Sequence, residues 1–156
     1  MNILAKEIMT SPVISVEETT PVKDLFTLLS ENGISGVPVV DTEGTLTGVV
    51  SITDLLAANI GDDEFGHADF HTSPSMDGLT EMNDLLTPSE EIADHPVLEL
   101  MSRRSITIED TCGIGEMSRT LVTNGIHRLI VVEDGRPIGI VSVGDILRTL
   151  SSYADA

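Results

Sequence analysis

The chain repeats itself, and the repeat limits what it can fold into. Residues 8–56 align with residues 100–147: Met9 with Met101, Glu17 with Glu109, and Asn32-Gly33 with Asn124-Gly125. Val39-Val40 aligns with Val131-Val132, Gly48 with Gly139, Ser51 with Ser142 and Asp54 with Asp145, after one deletion near Gly135. Two copies of one unit must share one local fold. Each copy reads as β-α-β-β-α. Val13–Val16 is a short strand. Thr20-Pro21 supplies an N-cap followed by Pro at the first helical position. Val22, Leu25, Phe26 and Leu29 share a helix face, and Asn32-Gly33 stops that helix. Val37–Val40 and Leu46–Val50 are β-branched runs flanking the turn Asp41-Thr42-Glu43-Gly44. A helix opens near Thr53-Asp54. In the second copy Ile114, Met117, Leu121 and Val122 form the helix face and Asn124-Gly125 ends it. Leu129–Val132 and Ile138–Val141 flank a turn at Glu133–Arg136.

One such unit cannot cover both faces of its small sheet, so the expected architecture is α/β (α+β), two repeats packed about a pseudo-twofold axis. The expected divisions are repeat 1 at 1–58, an acidic insert at 59–96 and repeat 2 at 97–152. Apolar residues make up 40% of the chain and aromatics 3%, with no Trp, which points to aliphatic cores. Asp62-Asp63-Glu64, Ser73-Pro74-Ser75 and Thr87-Pro88 mark loops in the insert, and Met82, Leu85 and Leu86 could form a helical turn.

The net charge of −18 argues against nucleic acid and against an anionic membrane, because polyanions repel. Six of the eight cationic side chains, all Arg, lie in residues 100–156, the stretch best furnished to meet an anion. A single cysteine, Cys112, excludes an internal disulfide and any cysteine-based metal cluster. No signal-peptide core or membrane span is evident, so a cytoplasmic protein is expected. No nucleophile elbow, phosphate loop or HExxH metal motif appears, so no catalysis is expected.

The informative motif is Gly48-Val49-Val50-Ser51-Ile52-Thr53-Asp54. A strand ends, two hydroxyls follow, and a carboxylate opens a helix. Asp54 can accept from both hydroxyls of a ribose, and Ser51 and Thr53 can donate to phosphate oxygens. The same residues can also serve as plain helix caps. His67 and His71, spaced i, i+4 in the acidic insert, read as solvated side chains and no metal site is expected. Cys112 aligns with Thr20 and reads as a buried or capping residue.

A β-α-β-β-α unit found twice, with G-x-x-S-x-T-D at the end of its third strand, resembles the CBS domain family. The stretches 32–41 and 124–133 are similar to repeats of the AMP-activated protein kinase gamma subunit. The resemblance implies a tandem module that binds AMP, ADP or ATP in a cleft, with S-adenosylmethionine ranked behind, and requires no cofactor. Asp54 would then hold ribose, and Ser51 and Thr53 would lie near phosphate. Adenine would contact Val13, Ile14, Val37 and Pro38, and the basic pair His127 and Arg128 would reach the phosphate. Arg103 and Arg104 are further phosphate candidates. Repeat 2 departs from the pattern, with Gly144 before Asp145, so a cleft at Ser142 and Asp145 is expected to be weaker or empty. Family members pair as flat dimers, so a homodimer and a regulated protein acting in trans are the expected partners. The alternative is a dimerising assembly protein with a vestigial or S-adenosyl-binding cleft.

Overall fold

The computed structural model describes residues 2–60, 71 and 86–155. It divides into two compact units, one formed by 14–105 and the other by 1–13 together with 106–156. Each repeat is therefore completed by the stretch of chain that leads into the other, 1–13 with repeat 2 and 97–105 with repeat 1. The expected two contiguous repeats are present as folds, but the segment ahead of each is packed on the other.

In the first unit, β1 (Val16–Glu17), α2 (Val22–Asn32), β2 (Gly36–Val40), β3 (Leu46–Ser51) and α3 (Ile52–Ile60) follow in order. In the second, α1 (Ala5–Ile8) precedes β4 (Thr107–Glu109), α4 (Ile114–Asn124), β5 (Arg128–Glu133), β6 (Arg136–Ser142) and α5 (Val143–Ala154). The sheets are ordered β1-β2-β3 and β4-β5-β6, each with one parallel and one antiparallel pair. Their registers coincide, since Val16 pairs with Val39 as Ile108 pairs with Val131. Both hairpins carry an irregularity at the same place, between Val39 and Val40 and between Val131 and Val132.

Both helices end as the sequence requires. Gly33 (φ 60°) and Gly125 (φ 61°) sit in the left-handed region, where a side chain would be strained. The second hairpin turns through Asp134 (φ 52°) and Gly135 (φ 78°), two positive values that suit the right-handed twist of the flanking strands. In the first, Asp41 Oδ1 accepts from the N–H groups of Glu43 and Thr45.

Three local expectations are corrected. The first strand begins at Val16 rather than Val13. In repeat 2 the N–H of Ile130 donates to Ile106 O at 3.3 Å, but the equivalent of Ile130 is Pro38, which has no N–H to offer Ile14. The ladder starts one residue later, and Ile14 is left exposed. The N-cap of α2 is Pro21, not Thr20, and it makes no side-chain cap. Instead the N–H groups of Val22 and Lys23 donate to His95 O and Ala93 O. Repeat 2 does the same with Gly113 as N-cap, where Ile114 N–H donates to Ile3 O. Backbone from a distant segment thus satisfies donors that a capping side chain would otherwise serve. Finally, Val122 is 82% exposed and belongs to no core face. It aligns with Ser30, on the outer side of the equivalent helix.

The cores are aliphatic. Val22, Leu25, Leu29, Val37, Val39, Val50 and Leu55 pack in the first unit, and Met117, Leu121, Leu129, Val131 and Val141 in the second. Leu86 and Val97 join the first core, so the later part of the expected insert is ordered on repeat 1. His71 is buried rather than solvated. His67, Met82, Leu85, Asp62-Asp63-Glu64 and Ser73-Pro74-Ser75 lie outside the described residues.

The swapped segments are held at matching places. Ser102 and Val49 exchange two hydrogen bonds of 2.8 Å, and Thr10 and Ile140 exchange bonds of 2.9 and 3.1 Å. Each contact abuts a glycine. A Cβ on Gly48 would lie 2.5 Å from Ser102 O, and one on Gly139 would overlap the Met9 thioether. That is the physical role of the aligned Met9/Met101 and Gly48/Gly139 pairs. No helix among the described residues is long and apolar enough to cross a membrane.

Candidate functional site

The motif Ser51-Ile52-Thr53-Asp54 sits where β3 passes directly into α3. The antiparallel pairing of β2 with β3 runs one step past Ser51, with Ile52 N–H donating to Ser35 O just ahead of β2, and the chain then turns into the helix. Ser51 is fully buried. Its N–H donates to Asp54 Oδ2 at 2.8 Å, and its hydroxyl lies 2.6 Å from Thr53 Oγ1 and 3.4 Å from Asp54 Oδ2. Two hydroxyls and a carboxylate are therefore gathered within one turn, with Thr53 and Asp54 half-buried. A carboxylate oriented by a backbone N–H can accept further hydrogen bonds from a diol.

Repeat 2 builds the same frame. Val143 N–H donates to His127 O, and Ser142 N–H donates to Asp145 Oδ2 at 2.8 Å. The hydroxyl chemistry differs. Ser142 Oγ accepts from Asp145 N–H at 3.1 Å, and Gly144 offers no second hydroxyl. Arg148 donates to Asp145 Oδ1. Arg148 was not among the residues picked from sequence, although an Arg three positions past an Asp on one helix face was a visible signal.

The remaining candidates fall as follows. Val37 and Pro38 are buried in β2, Ile14 is 38% exposed at the start of β1, and Val13 is half-buried in the other unit. Arg103 and Arg104 are exposed, and they belong to the unit that holds Asp54. His127 is exposed and Arg128 half-buried; the strand register sets Arg128 opposite Ser142 of its own repeat. Among the described residues no acid, His or Cys group is arranged to hold a metal.

One feature was not foreseen. A cavity of about 430 Å³ lies between β4 and α4, lined by Thr107, Glu109, Cys112, Glu116 and Thr120 among others. Burial, reinforced by the Glu116 carboxylate, pushes the Cys112 thiol above its ordinary value. Cys112 is thus a buried thiol held neutral, which suits packing rather than reactivity.

The sequence profile of the CBS domain matches residues 5–61 and 97–152, both repeats. The chain belongs to the CBS domain family. It is 33% identical to the chloroplastic CBS domain-containing protein CBSX2 of Arabidopsis thaliana over 85% of this chain and 56% of that protein. It spans about half the length of several of the relatives it matches. Its fold matches the structure of CBSX2 in complex with AMP, with TM-score 0.70 and 27% identity over 97% of this chain and 98% of that one. It also matches MJ1225 of Methanocaldococcus jannaschii, put forward as an archaeal homologue of the AMP-activated kinase gamma subunit. There the TM-score is 0.70 and the identity 25%, over 96% of this chain and 48% of that one. The CBS pair of MJ0100, solved with 5′-methylthioadenosine and S-adenosyl-L-methionine, shares the fold at TM-score 0.65 and 20% identity, over 98% of this chain and 99% of that one. The two CBS repeats are those read from the internal alignment, and CBS pairs of this fold have been solved with adenosine ligands.

Proposed function

We propose that this CBS pair is a regulatory module that binds an adenine nucleotide and performs no chemistry on it. The observation that carries the proposal is the grouping of Ser51, Thr53 and Asp54 at the β3–α3 junction. Asp54 accepts from the ribose hydroxyls, and Ser51 and Thr53 meet phosphate oxygens. Adenine rests against Ile14, Val13, Val37 and Pro38. The 38% exposure of Ile14, just ahead of β1, supports this placement. His127 and Arg128 supply the positive charge for phosphate, a role suited to the planar, permanently charged guanidinium of Arg. Arg103 and Arg104, exposed in the Asp54 unit, are the next cations in line. The AMP-bound CBSX2 structure makes AMP the first ligand to try, with ADP, ATP and S-adenosylmethionine alongside.

The test is a thermal-shift and calorimetric screen of those four compounds. Native protein should rise in melting temperature with at least one adenine nucleotide, and Asp54→Ala should lose the shift. Arg128→Ala should weaken AMP or ATP while sparing adenosine. An Asp54→Ala protein that still binds as native does would end the ribose assignment.

A second reading, assembly, has its own observation. Helix α5 leaves Val143, Leu147, Leu150 and Tyr153 exposed, at spacings that put them on one side of the helix. A second copy of the chain is the proposed occupant. Sedimentation should give a dimer that Leu147→Glu dissociates; a native monomer would rule it out.

A further inference from the structure

We infer that ionic strength sets the stability of the unit 14–105, which holds the nucleotide motif, and hardly touches the other unit. Salt and nucleotide then hold the same half of the protein together. The nucleotide half of this statement rests on the reading of Asp54 as a ribose ligand; the salt response does not. The charge of −18 is divided unequally. The unit 14–105 carries 18 acidic and 3 basic side chains, net −15, and the unit of 1–13 with 106–156 carries 8 and 5, net −3. Eleven of the 18 acids lie among the described residues, and none of the eleven is buried. Their repulsion runs through solvent, where salt can screen it.

The imbalance has a definite place in the fold. At one end of the first sheet Glu18 N–H donates to Val40 O, and Leu98 N–H donates to Glu18 O, both at 3.0 Å. Three acid-bearing stretches are stitched together there: Glu17-Glu18, Asp41 with Glu43, and Glu99. Glu99 also meets the His95 imidazole at 2.6 Å. The equivalent end of the second sheet is just as acidic, with Glu109-Asp110, Glu133-Asp134 and Glu7. There, however, Lys6 N–H donates to Asp110 O at 3.0 Å, which puts a cation in the place of Leu98. Arg136 pairs with Glu133 in the strand register, in the place of Thr45, whose carbonyl accepts from Asp41 N–H. Both sheet ends carry five acids, but only the second carries Lys or Arg in these stretches.

Lys6 and Arg136 compensate without close ion pairs, because the field of a charge reaches about a Debye length, roughly 10 Å at 0.1 M salt and about 3 Å at 1 M. In dilute salt the five acids of the first end repel across the strands they flank. Concentrated salt removes that repulsion. Ser51 stands at the opposite end of β3 from Leu46, roughly 17 Å away. Salt thus acts on the motif by holding its sheet together rather than by screening a ligand at Asp54. A nucleotide that binds only the folded unit stabilises the same sheet by mass action.

The experiment is hydrogen exchange resolved by fragment mass spectrometry, on the full chain at about pH 8, above the ordinary histidine range, in about 0.05 M and about 1 M NaCl. Amides of 36–51 should exchange about tenfold faster in dilute salt, and those of 128–142 less than about threefold faster. Thr45→Arg/Leu98→Lys should cut the first ratio to about threefold or less, and the uncharged control Thr45→Gln/Leu98→Met should leave it unchanged. The reverse exchange, Lys6→Leu/Arg136→Thr, should raise the second ratio toward about tenfold, so a first variant that fails to fold does not remove the test. Equal responses in the two native sheets, ratios that neither charged variant moves, or a response that differs between NaCl and KCl at equal ionic strength would overturn the inference. Saturating AMP should slow exchange of 36–51 in dilute salt about tenfold or more, and Asp54→Ala should lose that effect while keeping the salt response. A salt response as expected without the AMP effect, or with an AMP effect that survives Asp54→Ala, would count against the Asp54 reading and leave the salt response standing.

Discussion

Gly48→Ala should damage this protein far more than Gly139→Ala, although the two glycines are equivalent in the repeats. A methyl on Gly48 would lie 2.5 Å from Ser102 O, 3.0 Å from Met101 Sδ and 3.3 Å from the Ser102 carbonyl carbon. Carbon and oxygen ordinarily meet no closer than about 3.3 Å, so the backbone at Ser102 must retreat by nearly 1 Å. That motion strains both Val49–Ser102 hydrogen bonds, now 2.8 Å each. Two such bonds contribute about 2 kcal/mol together, and overpacking adds about 1–2 kcal/mol. The loss is about 3–4 kcal/mol. A methyl on Gly139 instead overlaps the Met9 thioether and lies 2.8 Å from its Cγ. Methionine has three rotatable side-chain bonds, so its thioether can swing aside; only its Cβ, 3.1 Å away, must give by a few tenths of an ångström, which leaves the Thr10–Ile140 bonds in place at a cost of about 1 kcal/mol. The unfolded-chain effect of replacing glycine is common to both and cancels. Urea unfolding followed by circular dichroism measures the difference. In thermal terms, Gly48→Ala should lose about 10 °C and Gly139→Ala about 3 °C. Met9→Ala should erase the Gly139→Ala penalty, whereas Met101→Ala should leave most of the Gly48→Ala penalty. Equal losses, or full rescue of Gly48→Ala by Met101→Ala, would refute the claim that a backbone carbonyl is the obstacle.

Further outcomes follow from the same structure. Val122→Ser, which copies Ser30, should change stability by less than about 0.5 kcal/mol in a urea titration, since the side chain is 82% exposed. Iodoacetamide should label Cys112 slowly, and the rate should still be climbing above about pH 9, because burial and Glu116 hold the thiol neutral past its ordinary range; a plateau near pH 8 would contradict this. Lys23 donates to the exposed Asp94 at 2.7 Å and holds that carboxyl below its ordinary value. Its NMR titration midpoint should rise in Lys23→Ala. The bond therefore persists above the usual aspartate range and is lost as pH falls through the depressed value, the sign expected for a paired acid.

Much of the fold could be read along the chain because its causes are local. Gly33 and Gly125 stop their helices by adopting a backbone conformation that other residues resist, and that preference is written in one residue. The strand runs, the hairpin turns and the Ser51–Asp54 cluster likewise depend on neighbours within a few positions. The Arg148–Asp145 pair belongs to this class too, being three residues apart on one helix. What local pattern could not reveal is which distant stretch completes each unit. The first N–H groups of α2 find carbonyls at Ala93 and His95, and that of α4 finds Ile3. Those partners are backbone atoms, so no side-chain type advertises them. Pro38 is similar: its missing N–H shortens β1 only because parallel pairing brings the Ile14 carbonyl within its reach. Hydrogen bonds between backbone groups far apart in sequence are chosen by packing, and packing exists only once the chain has closed on itself.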